Sequence, residues 1–134
     1  MNAILRETTL SLTNAAFLVE IDHMKDAEKY LLERADQLNG DLYIHLLPLA
    51  ETMESAECYL AATVVYRSLL DSILRRGQTK TYSHGVRYLK KMDLLAKLIT
   101  DWQAFGDHIA YTQKLRKNHG RKSSFWSRYE NMLS

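Results

Sequence analysis

Cations dominate the second half of this chain, and their spacing decides what chemistry they offer. Residues 71–134 hold thirteen Lys and Arg against five Asp and Glu, a balance of +8. Residues 1–70 hold five against eleven, a balance of −6, so the net charge of +2 conceals a strong polarity. Such a polarity points to a partner surface, or to like molecules meeting head to tail. The sharpest stretch is HGRKSSFW, residues 119–126, with a His, a Gly and two adjacent cations in front of two aromatics. One reading makes it a phosphate-contact loop in which Trp126 and Phe125 stack on bases. The other makes Gly120 a helix stop and Ser123 or Ser124 the next cap. In that reading Phe125, Tyr129 and Met132 form a core-facing stripe at helical spacing, and Phe125 and Trp126 are partly packed against the stack. The residues expected to meet a partner are Arg75, Arg76, Arg87, Lys91, Lys114, Lys117, His119, Arg121, Lys122 and Trp126. Lys80, Lys97 and Arg116 extend the same basic face.

Other chemistries find little support. His108 and His119 are eleven residues apart, roughly 16 Å by helical rise, which is too far to share one metal. His45 and His84 have no His, Asp or Glu at i+3 or i+4 to form a helical metal clamp, and His23 has Asp26 alone at that spacing. The expectation is therefore no metal and no cofactor. Cys58 is the single cysteine, which excludes an intramolecular disulfide and every zinc site needing two thiolates. It has Glu57 beside it and no adjacent cation to activate it. No P-loop, nucleophile elbow, Gly-rich nucleotide loop or H-E-x-x-H occurs. Small all-α ribonucleases of the HEPN type set an Arg four to six residues before a His. Here Arg116 and His119 are separated by two residues and Arg76 and His84 by seven, so an enzyme of that kind is a remote alternative.

These residues must be positioned by helices. Five Gly and one Pro in 134 residues are too few turn formers for a sandwich or barrel, and no segment reads as a strand. The length suits one domain, 1–134, able to bury about two-thirds of its unfolded surface. Periodicity predicts helices over about 7–20, 25–38, 42–54, 56–76, 82–100 and 107–118, with a short last one from Ser123 or Ser124. Asn39–Gly40, Gly77 and Gly120 are the expected stops. Asp41, Thr79 or Thr81, and Asp107 are the expected N-caps. Pro48 should kink the third helix or restart it. The fourth opens with AECYLAATVVY, apolar or small almost all round, and is expected to lie buried. It and the next helix form a helix–turn–helix unit of about 40 residues, near tetratricopeptide and HEAT lengths.

Three stretches carry a resemblance: YLAATVVYRSLLDSILRRG, TYSHGVRYLKKM and DHIAYTQKLRKNHGRKSSFW. They resemble the end of an uncharacterised bacterial family of helical-repeat proteins, and the helical region that follows SWIM zinc fingers. The similarity covers about residues 25–126 and is most specific at His119, Gly120, Arg121, Lys122, Phe125 and Trp126. It implies a short right-handed α–α superhelix of antiparallel, tetratricopeptide- or HEAT-like hairpins. It also implies that this chain is similar to the terminal piece of a longer array. No SWIM cysteine–histidine pattern is present, so the resemblance implies no zinc function.

The resulting expectation is an all-α, non-enzymatic protein-interaction module. Its basic half would take an acidic segment of a partner, or the acidic half of another copy. Nonspecific nucleic-acid binding by the same face is the alternative, although a pI near 8.6 lies below the strongly basic footprint such proteins show. The longest apolar run, 59–66, is far shorter than the roughly 20 residues of a membrane span. MNAILRETTL carries no apolar signal-peptide core. A cytoplasmic location is expected.

Overall fold

The computed structural model describes the backbone of residues 24–133 and the side chains of 25–131. The helix expected over 7–20 and the place of Met132 in the C-terminal stripe lie outside these limits. The described residues hold six α-helices, two 3₁₀ turns and no strand. Helix α1 is Met24–Glu33, followed by a 3₁₀ turn at Ala35–Gln37, and α2 is Tyr43–Ser55. Helix α3 is Tyr59–Arg76, and α4, after a 3₁₀ turn at Thr79–Thr81, is Tyr82–Ala96. Helix α5 is His108–His119 and α6 is Ser123–Leu133. The fold class is all-α, as composition and periodicity suggest.

Helix α3 is the spine. Residues 60–66 are buried without interruption, because Leu60, Ala61, Ala62, Val64 and Val65 leave no polar face to turn outwards. Leu69, Leu70 and Leu74 continue the burial at 1% exposure or less. Each such leucine contributes about 1.5–3 kcal/mol by leaving water. Gly77, in the left-handed region at φ 67°, ends the helix as expected.

Helices α2 and α4 both pack against α3. The Tyr66 hydroxyl donates to Glu54 Oε1 at 3.0 Å, while Arg75 donates to Asp41 Oδ1 at 2.9 Å. Residue numbers therefore run in opposite senses along α2 and α3. The same holds for α3 and α4, where Tyr66 meets Tyr88 with centroids 5.9 Å apart and Gly85 abuts Leu70 and Ile73. Short connections make both pairs antiparallel hairpins. Helix α6 lies on α4 and follows its direction. Phe125 packs edge-on against Tyr82 near one end, and Tyr129 donates to Asp93 Oδ2 at 2.5 Å near the other. Helix α5 carries the chain back between them, starting where His108 Nε2 donates to Asp93 Oδ1 at 2.5 Å.

Several local expectations change. Pro48 sits inside α2, which runs through it instead of restarting. Asp41 is not a cap: Leu42 holds that position, and the Asp41 carboxyl turns towards α3 instead. Thr81 holds the N-cap position of α4, but its hydroxyl donates to the Gln78 carbonyl at 2.7 Å. Asp107 does cap α5, accepting from the Ala110 amide at 2.8 Å. The helix expected to reach residue 100 stops at Ala96, and an irregular stretch follows that brings Trp102 back against α3.

Candidate functional site

The expected basic face divides into cations that the fold uses and cations that it leaves open. Arg75 Nη2 and Arg76 Nε lie 2.9 and 3.6 Å from Asp41 Oδ1. The Ser72 hydroxyl donates to the same oxygen. That hydrogen bond outweighs burial and, with the Arg76 and Arg75 charges, holds the Asp41 carboxyl below the usual carboxylate range. Lys91 donates to Glu54 Oε2 at 2.9 Å, so α2 and α4 are bridged over the edge of α3. Glu54 also takes the Tyr66 hydroxyl, whose pKa is pushed up by burial and then by that carboxylate. Arg87 donates to His84 Nδ1 one turn earlier on α4. Four of the ten expected contact residues thus already have partners within the molecule.

The cations of α5 and the following turn are arranged differently. Lys114, Lys117 and Arg121 are exposed and Lys122 is half-buried. None of the four enters an ion pair among the described residues. Lys114, Lys117 and Arg121 recur at i, i+3 and i+7, so helical spacing sets the first two on one face and continues it into the turn. His119 closes α5. Burial and then the Lys122 charge lower its imidazole pKa, with Asp71 acting against them.

Trp126 has a different place from the one its neighbours suggest. It is 6% exposed and its indole N–H donates to the His119 carbonyl at 2.9 Å. The Arg116 guanidinium covers its ring at 4.1 Å, and Phe125 and Tyr129 meet it edge-on. A ring enclosed in this way cannot stack on a base without leaving the core, so Trp126 is removed from the expected contact surface. Its N–H and ring instead tie α6 to α5. In HGRKSSFW, then, the aromatics belong to the core and the two cations to the surface.

A second cluster escaped the sequence reading. Arg67 of α3 lies over Tyr111 of α5 at 4.5 Å and over Trp102 at 5.4 Å, and donates to the Gly106 carbonyl at 2.9 Å. One turn on, Asp71 accepts from the Tyr111 hydroxyl at 3.0 Å. Desolvation raises the Asp71 carboxyl, opposed by the Tyr111 hydrogen bond, and also raises the Tyr111 phenol, with Asp71 adding to the effect. Arg67 is lowered by burial. This crease binds the 97–107 connection and α5 to α3. Its one local signal was an Arg and an Asp at i, i+4 on an otherwise apolar helix. Their partners lie 39 and 40 residues away.

Among the described residues no group of three or more His, Cys, Asp or Glu is placed to hold a metal ion. No helix there is long and apolar enough to cross a membrane. Cys58 is buried, and burial followed by the Glu28 charge pushes its thiol pKa up.

Compared with known proteins, the chain matches Family of unknown function (DUF6880) over residues 5–128. It belongs to that family. Neither a curated protein nor a solved structure matches it.

Proposed function

We propose that this DUF6880 chain is a non-enzymatic interaction module of the cytoplasm that receives an acidic segment of a protein partner. The receiving surface is α5 and the turn into α6, with Lys114, Lys117, Arg121 and Lys122 as its contacts. The helices stack as a short right-handed superhelix of tetratricopeptide or HEAT kind, an architecture that works by offering surfaces. The observation that carries this reading is the division of the cations. Asp41 and Glu54 occupy Arg75, Arg76 and Lys91, whereas none of the four on α5 and its turn forms an ion pair among the described residues, the Lys114 charge reaching Asp71 only at longer range. Exposed cations steer and select an oppositely charged partner even where each contributes little affinity.

Nucleic acid is the second reading, favoured by the same four cations. Burial of Trp126 leaves it phosphate contacts without the aromatic stack that strengthens single-strand binding. Chemical-shift mapping with a glutamate-rich peptide tests the leading reading. The expected shifts cluster on residues 114–122. Shifts scattered over the molecule, or none at millimolar peptide, would sink it.

A further inference from the structure

A partly open pocket of about 280 Å³ lies where the start of α2, the last turn of α3 and the start of α4 meet. Its walls combine three kinds of surface. Leu69 and Ile73 of α3 supply apolar contact, Tyr43 and Tyr88 supply aromatic rings, and Arg76 and His84 supply polar heads. Tyr88 is 9% exposed and packed into the wall, whereas Tyr43 is 55% exposed at the rim. Arg76 approaches Asp41 through Nε, and its two terminal nitrogens have no hydrogen-bond partner among the described residues. Arg87 donates to His84 Nδ1, which places the neutral ring's proton on Nε2 and makes that nitrogen a donor. Arg75 and Lys80 add positive charge close by in sequence, offset by Asp41.

This donor set is suited to anions. A guanidinium takes a phosphate or carboxylate with two parallel hydrogen bonds, and an imidazole N–H adds a third. Aromatic faces beside it favour a planar ring. Small-molecule pockets run from about 300 to 1,000 Å³, so this one is at the lower limit and has room for little more than one ring and one charged group.

We infer that this pocket binds a small anion built from one aromatic or heteroaromatic ring and one phosphate or carboxylate. The ring lies against Tyr43 and Tyr88, and the anionic group meets Arg76 and His84. This site is separate from the α5 surface and does not depend on it. Titration calorimetry of the full chain with four probes tests the inference: phenyl phosphate, benzoate, phenol and inorganic phosphate. One of the two ring-plus-anion probes should bind at least tenfold more tightly than both phenol and phosphate. Preference for phenyl phosphate over benzoate would identify a phosphate ligand, and the reverse a carboxylate. Arg76→Gln and Tyr43→Ala should each weaken that binding by about tenfold. Arg75 still holds Asp41 in the first variant, and Tyr43 is exposed enough for the second to fold. Equal or weaker binding of both ring-plus-anion probes relative to phosphate or phenol would overturn the inference. So would wild-type affinity in folded Tyr43→Ala.

Discussion

Asp41 shows how one side chain settles several others. Its folded pKa lies below its unfolded value. Its contribution to stability is therefore complete above the ordinary carboxylate value of about 4 and is lost as pH falls through the lower folded value. Asp41→Asn should lower the melting temperature at pH 7, and the difference from wild type should close in strong acid. Thermal melts over a pH series check this. Gly40, next to it, is required by space: a Cβ there would collide with the Ser68 carbonyl of α3 and lie 2.8 Å from Ser72 Cβ. Gly40→Ala should cost about 1–3 kcal/mol in denaturant unfolding, the usual range for overpacking. His119 reports on the neighbouring cations. Burial is the larger cause of its lowered pKa and Lys122 the next, so Lys122→Ala should move its NMR titration upwards but leave it below about 6.5. An unchanged titration would mean that the Lys122 charge does not reach the imidazole.

At the scale of elements, α6 depends on two aromatics. Phe125 is fully buried against Tyr82 and α4, and Trp126 ties α6 to α5. Phe125→Ala should destabilise by about 3–5 kcal/mol in urea unfolding, as truncation of a buried Phe does. A loss under 1 kcal/mol would show that α6 is not docked as described. Elements with local causes were the legible ones. AECYLAATVVY gave away its burial because an apolar run has no face to expose, and Gly77 and Asp107 act within one turn of their own positions. Asp41 was misread because Ser72 and Arg75, 31 and 34 residues away, compete for a carboxyl that local pattern assigns to a cap. Arg67 was missed for the same reason. Trp126 was legible by half: the sequence reads Phe125 and Trp126 as partly packed against the stack, yet it also keeps Trp126 among the contacts, and only the structure shows the ring enclosed.

Over the whole molecule, the fold converts a sequence-wide charge polarity into a local one. Acidic side chains of the first half fold against α3 and α4 and neutralise Arg75, Arg76 and Lys91. Lys114, Lys117, Arg121 and Lys122 form no ion pair among the described residues, so ten candidate contacts narrow to a surface of four cations. The measurement that tests this most directly is a fluorescence-anisotropy titration at low and physiological salt. The probes are a labelled glutamate-rich peptide and a labelled single-stranded oligonucleotide. The proteins are wild type and the variant combining Lys114→Glu, Lys117→Glu, Arg121→Glu and Lys122→Glu. The account predicts salt-sensitive peptide binding that the variant loses by at least tenfold, with the oligonucleotide bound more weakly than the peptide. Peptide binding that survives the four reversals, or a preference for the oligonucleotide with a steep salt slope, would contradict it.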